Sequence, residues 1–271
     1  MSTDTTLIVT TSAGRIPVTI GERGSGRAVF LLHGGAGPAS VADFADLLAS
    51  RSGARVITPA HPGFAGTPRP EALATIAGLA ELYAGMLDTL DLDDVTVIGN
   101  SIGGWITSEL ALRHVPRVGR IALVDAVGID VVGHPVADFF SLSPAQIAEH
   151  SYYDPSRAVI PDLSTLPPAA RQLARGNRDA LATYGGSMSD AGLLERLPSI
   201  DVPALVLWGE ADRIADSDYG RAYAEAIPGA QFMLLKGTGH VPQVETPEIL
   251  LDALQGFIAQ SRGDSIRVTK V

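Results

Sequence analysis

The sequence predicts an α/β protein, a doubly wound, mostly parallel sheet of eight strands with helices on both faces. Three observations carry this. Short apolar, β-branched-rich runs bounded by Gly, Pro or Asp recur along the chain, and helical patterns stand between them. The residues with the most chemical character fall just after the apolar runs, at the strand ends where open sheets of this class bind ligands. At 271 residues, the length fits one core with an insertion better than two independent domains.

In order, Thr6 to Thr11 and Ile16 to Ile20 alternate apolar and polar residues around Ala13-Gly14, which predicts an opening antiparallel hairpin. Six apolar runs follow as buried strands: Ala28 to Leu32, Arg55 to Thr58, Val95 to Ile98, Ile121 to Val124, Ala204 to Trp208 and Gln231 to Leu235. Helical spacing covers Val41 to Ser50, Ala72 to Leu90, Trp105 to His114, Asp218 to Ala226 and Pro247 to Ala259. The alternation breaks once. From about Val127 to Ser199 there are helical patches, Pro144 to His150 and Pro168 to Tyr184, but no convincing buried strand. The tail from Ser261 to Val271 is polar and expected to fray, and its Arg262-Gly263-Asp264 tripeptide reads as chance.

Composition narrows the function. Hydrophobic residues make up 46% and charged residues 18%, an ordinary globular profile with no apolar stretch long enough to span a bilayer. The first residues show neither a basic region nor a signal-length apolar stretch, so the expected location is cytoplasmic. A net charge of -10 repels nucleic acid and anionic lipid, which leaves a small-molecule substrate as the expected partner, with a homodimer as the expected assembly if there is one. There are no cysteines, and the six histidines show no metal-ligand spacing; no metal and no cofactor are expected.

Gly99-Asn100-Ser101-Ile102-Gly103-Gly104 joins an apolar run to a helical one, the order of a nucleophile elbow. A serine on so tight a turn needs glycine around it, and the helix start places N–H groups where negative charge can develop. Its hydroxyl also needs a base and a group that orients the base. His240, in the glycine-rich loop Gly237-Thr238-Gly239-His240-Val241-Pro242, is the candidate base. Asp212 is the candidate acid, with Glu210 and Asp216 as neighbours and Asp125, after an earlier strand, as the second choice.

With Ser101, Asp212 and His240 in that order, and an early His33-Gly34-Gly35 turn, the chain resembles the α/β-hydrolase superfamily over nearly its whole length. The resemblance implies a catalytic triad of Ser101, His240 and Asp212. It also implies an oxyanion hole from the N–H groups of Ile102 and Gly35, with Ala36 as rival to Gly35. It implies a helical cap over residues 127–199, between core segments 1–126 and 200–262, with 263–271 as a tail. His61-Pro62-Gly63-Phe64-Ala65-Gly66-Thr67 resembles a family loop in which His61 replaces the usual acid and Thr67 a serine; both read as structural, and so does His33.

Substrate contacts are expected from Ala36, Phe139, Phe140, Tyr152 and Val241, with Leu142 and Tyr153 nearby. Arg171, Arg175 and Arg178 share one helical face, expected to be solvated beside Asp179; the alternative is an anchor for a substrate carboxylate. The resulting expectation is a serine hydrolase of a small apolar ester or lactone. A carbon-carbon bond hydrolase of aromatic ring-cleavage products is the alternative, resembled by Gly-Asn-Ser-x-Gly-Gly but lacking the tryptophan those enzymes commonly carry where this chain has Val241. A ligand receptor or cofactor-free perhydrolase on the same fold is a further alternative.

Overall fold

The computed structural model describes residues 3–159 and 165–260. Its sheet has eight strands: β1 (Thr3–Thr11), β2 (Gly14–Arg23), β3 (Ala28–Leu32), β4 (Arg55–Pro59), β5 (Val95–Asn100), β6 (Val118–Val124), β7 (Ala204–Gly209) and β8 (Gln231–Leu235). The spatial order is β1-β2-β4-β3-β5-β6-β7-β8. The opening hairpin pairs antiparallel, β2 joins β4 antiparallel, and every other neighbour is parallel.

Side chains of successive strand residues point to opposite faces, and this separates two cores. Phe30, Leu32, Val97, Ile121, Leu123, Val206 and Trp208 pack on one side. Val29, Leu31, Ile98, Ala122, Val124, Leu205 and Leu207 pack on the other. Helices α1 (Ala42–Ser52) and α9 (Pro247–Ala259) cover the second face. The first is covered by α2 (Ile76–Thr89), α3 (Ile102–Leu112) and α7 (Ser217–Ala226). The remaining helices are α4 (Pro144–Ser151), α5 (Pro168–Gly185) and α6 (Leu193–Arg196), all between β6 and β7, and α8 (Pro242–Glu245) after β8.

Among the boundaries that differ from expectation, three have clear local reasons. Strand β6 starts at Val118 rather than Ile121, because Arg120 interrupts the apolar run yet is buried, with Asp94 3.7 Å away. Helix α2 starts at Ile76 rather than Ala72, where the Thr75 hydroxyl accepts from Gly78 N and caps the first turn. Helix α3 starts directly after Ser101 rather than at Trp105, so the glycine pair lies inside it. The tail and its tripeptide lie outside the described residues. No helix among them is long and apolar enough to cross a membrane.

Candidate active site

Ser101 sits between β5 and α3 with φ 55° and ψ -120°, a backbone region costly for a residue with a side chain. Backbone bonds from Ser101 N to Val124 O and from Gly104 N to Ser101 O hold the turn. The close packing around it explains the glycines. A Cβ on Gly99 would strike the Gly103 carbonyl, and one on Gly103 would strike the carbonyls of Leu32 and His33. Ile102 is the first residue of α3, so its N–H has no intrahelical acceptor. Across a short gap lies the Gly34-Gly35-Ala36 turn, closed by Gly37 N donating to Gly34 O.

His240 Nδ1 and Asp212 Oδ2 are hydrogen bonded at 2.7 Å, both residues buried. Asp212 Oδ1 accepts from Ile214 N at 2.8 Å and Ala215 N at 3.2 Å, which fixes the carboxylate plane. The neighbouring acids are engaged elsewhere. Glu210 accepts from Gly237 N, and Asp216 caps α7 while pairing with His134 at 2.7 Å. Asp125, at the end of β6, is fully buried and accepts from Gly209 N at 2.7 Å. No hydrogen bond joins Ser101 Oγ to His240 among the described residues; such contacts often tighten only with substrate bound. Asp125, Asp212 and His240 also form the one His/Asp/Glu trio among the described residues close enough to hold a metal ion. An ion there would have to displace the 2.7 Å bond and those to backbone N–H groups.

Ser101 and His240 share the wall of a cavity of about 300 Å³. Gly35, Ala36, Phe139, Tyr152 and Val241 lie on that wall, as do Ile147 and Ala148 of α4 and Leu181 of α5. Phe140 does not. It packs edge-on against Phe139 at 5.7 Å, its carbonyl accepts from Arg178, and the Arg178 guanidinium covers its ring. Tyr153 also faces away, 56% exposed. The arginine face is largely solvated, as expected: Arg175, Arg178 and the neighbouring Asp179 are exposed and Arg171 is half-buried. Arg171, Arg175 and Arg178 line a second cavity of about 570 Å³ that shares Gly35, Ala36, Phe139 and Leu181 with the first. The reason is the docking of α5, which turns Leu181 onto Gly35 and carries the arginine face to the rim beside it.

Several supporting residues escaped the sequence reading. Asn100 Nδ2 donates to the carbonyls of Val124 and His240, and its Oδ1 accepts from Gln243 Nε2, so the elbow and the histidine loop are tied together. Glu245 is 3% exposed and accepts from Gly239 N at 2.8 Å, Asp154 N at 3.0 Å and Tyr153 N at 3.1 Å. His240 N donates to Ser151 O at 2.7 Å. Gly237, His240, Pro242 and Glu245 form a Gly-x-x-His-x-Pro-x-x-Glu spacing similar to the family's histidine loop, and that was the one signal in the sequence for Glu245.

Beside the Gly34-Gly35-Ala36 turn, His33 and His61 stack with ring centroids 3.7 Å apart, both fully buried. His61 N donates to His33 Nε2 at 3.1 Å, so His33 carries its proton on Nδ1 and donates it to Gly34 O at 2.7 Å. His61 Nε2 donates to His33 O at 2.9 Å, leaving Nδ1 to accept from the Tyr83 hydroxyl. Every ring nitrogen is matched with both rings neutral. Burial accordingly pushes the His61 pKa down to about 4, and burial together with His61 pushes His33 well below its ordinary value.

Residues 29–253 match the sequence profile described as "Alpha/beta hydrolase family". The 2-hydroxy-6-oxo-2,4-heptadienoate hydrolase of Pseudomonas putida F1 is 29% identical, over 91% of this chain and 94% of its own. Among solved structures, a meta-cleavage product hydrolase superimposes with a TM-score of 0.76 at 20% identity, covering 93% of this chain and 97% of its own. An esterase from Exiguobacterium antarcticum gives 0.75 at 19%, covering 94% and 100%. Two activities thus sit on one backbone at equal likeness, and the solved structures speak for the fold alone. From the profile match over most of its length, with the eight-stranded sheet that carries it, the chain belongs to the alpha/beta hydrolase family.

Proposed function

We propose that this protein is a carbon-carbon bond hydrolase acting on a carboxylate-bearing vinylogous 1,5-diketone of the kind formed by aromatic ring cleavage. The observation that carries the reading is the largely exposed arginine face of α5 at a cavity that shares Gly35, Ala36, Phe139 and Leu181 with the Ser101 cavity. A carbon leaving group departs only if its electron pair is delocalised. In such a substrate the pair spreads along a dienolate toward the carboxylate, and guanidinium groups at that end favour the developing charge. The Pseudomonas putida relative, a hydrolase of a dienoate by name, supports the same class.

In this mechanism Ser101 Oγ attacks the ketone carbon and gives its proton to His240 Nε2. Asp212 holds the imidazole with Nδ1 protonated and favours the imidazolium. The N–H groups of Ile102 and Gly35 receive the oxyanion. The carbon-carbon bond then breaks, its electron pair enters the dienolate, and His240 returns the proton to that carbon. Water attacks the acyl-serine with His240 as base, releasing a carboxylic acid and restoring Ser101.

The apolar wall of Phe139, Ile147, Leu181 and Val241 around Ser101 favours a second reading, hydrolysis of a small neutral ester or lactone. The two are separated by kinetics on a dienoate acid and a neutral ester of the same acyl group, in wild type and in Arg171→Gln, Arg175→Gln and Arg178→Gln. At least one variant should lose about thirtyfold in kcat/KM on the acid alone, the value of one charged hydrogen bond of about 2 kcal/mol. Equal effects on both substrates, or turnover of the ester only, would replace the carbon-carbon reading with the ester one.

A further inference from the structure

We propose that Asp125 is a positioning residue that stays protonated at neutral pH and donates its carboxyl hydrogen to the Asp212 carboxylate, behind the Asp212–His240 pair. The proposal rests on the reading of that pair as the group that orients the base. Asp125 follows β6 in a left-handed conformation, φ 47°, with no exposed surface. Its Oδ1 accepts from Gly209 N, while its Oδ2 is buried with no hydrogen-bond partner, and the Asp212 carboxyl lies beside it. Oxygens of both carboxyl groups and a His240 ring nitrogen lie within 4.8 Å of one another.

Two carboxylates this close in a dry site cannot both be ionised, so the pair holds one proton. The hydrogen-bond count decides where it sits. Asp212 accepts from Ile214 N, Ala215 N and His240 Nδ1, whereas Asp125 accepts from Gly209 N alone. Negative charge belongs on the carboxylate with three donors and the proton on the one with a single donor. Protonation also resolves the unpartnered Oδ2, which becomes a donor aimed at an acceptor. Burial first, and the Asp212 charge second, push the Asp125 pKa well above the ordinary carboxylate range. The consequence is a fourth hydrogen bond to Asp212. It fixes the orientation of that carboxylate and draws off part of its charge, which moderates the hold on the His240 imidazolium.

Asp125→Asn tests this, because the amide can keep both bonds, accepting from Gly209 N and donating to Asp212. Asparagine also tolerates the left-handed backbone. The expected result is a kcat within about threefold of wild type and an unmoved acid limb of the kcat/KM profile, while Asp125→Leu lowers kcat and moves that limb upward. Infrared difference spectra of the two full-length proteins near neutral pH should show a protonated-carboxyl C=O band in wild type that Asp125→Asn lacks, a readout independent of turnover. A loss of about 10⁴ in kcat for Asp125→Asn would make Asp125 the ionised acid that orients His240. A downward move of the acid limb by a unit or more, or an unchanged infrared band, would show that Asp125 is charged. Either outcome overturns the proposal. Failure of the orienting pair itself would show differently, as full activity in Asp212→Asn.

Discussion

The buried histidine pair makes the fold acid-sensitive in a window that can be calculated. With its folded pKa near 4 against an ordinary 6.5, His61 refuses a proton that the unfolded chain accepts below 6.5. The unfolded state then binds more protons, so stability rises with pH: the contribution of His61 is complete above 6.5 and is lost as pH falls toward 4. At about 1.4 kcal/mol per pH unit, the loss at pH 4 is about 3 kcal/mol from this one ring, a large share of an ordinary stability of about 5–15 kcal/mol. His61→Phe keeps a ring against His33 but removes the titration. It leaves the His33 carbonyl and the Tyr83 hydroxyl without partners, at about 1–3 kcal/mol each. The variant should therefore be less stable than wild type near pH 7, and the gap should close by about 3 kcal/mol on going to pH 4. Urea unfolding followed by the fluorescence of buried Trp105 and Trp208 measures it. A gap that stays constant with pH would mean that His61 is not held neutral, and the tautomer assignment would fall with it.

The remaining predictions bear on the site. An organophosphonate should label Ser101 and no other serine, read by peptide mapping; labelling elsewhere would remove Ser101 as nucleophile. Asp212→Asn should cost about 10⁴ in kcat while Glu210→Gln costs little, because Glu210 bonds Gly237 N and not His240. Glu245→Gln replaces one acceptor oxygen with a donor amide facing a backbone N–H. It should cost about 2–3 kcal/mol in urea unfolding, and an unchanged midpoint would show that the three bonds to Glu245 are not formed in solution.

The parallel strands and long helices were legible because each buries a continuous or amphipathic apolar pattern, and α9 coincides with its expected span. What escaped was set by tertiary contact. Helix α6 is four residues long, too short for periodicity, and is held by Arg196 clasping the buried Glu109 of α3 at 2.6 and 2.9 Å. Arg120 lies just before the expected run Ile121 to Val124, and Asp94 beside it lets it be buried within β6. In the site, Ser101, His240 and Asp212 were legible because backbone requirements leave glycines and a fixed order in the sequence. The arginine face was legible as a solvated one, but its neighbourhood was not. Spacing shows that three side chains share one side of a helix, but only the packing of Leu181 against Gly35 shows what that side looks upon.

The two long helices of the insertion therefore have different relations to the chemistry. The end of α4 is bonded to the loops that carry the triad candidates: Ser151 O receives His240 N, His150 O receives Arg213 N, and Glu245 accepts from the N–H groups of Tyr153 and Asp154 just beyond the helix. Displacing α4 would disturb His240 and Asp212 together. Helix α5 is bonded instead to the loop after β4, through Tyr184 to Pro62 O at 3.0 Å and Asn177 to Ala65 N at 2.8 Å. Its arginine face forms the rim of the neighbouring cavity. Displacing α5 would therefore disturb the loop after β4 first, whereas displacing α4 would act on the bonds that hold His240 in place.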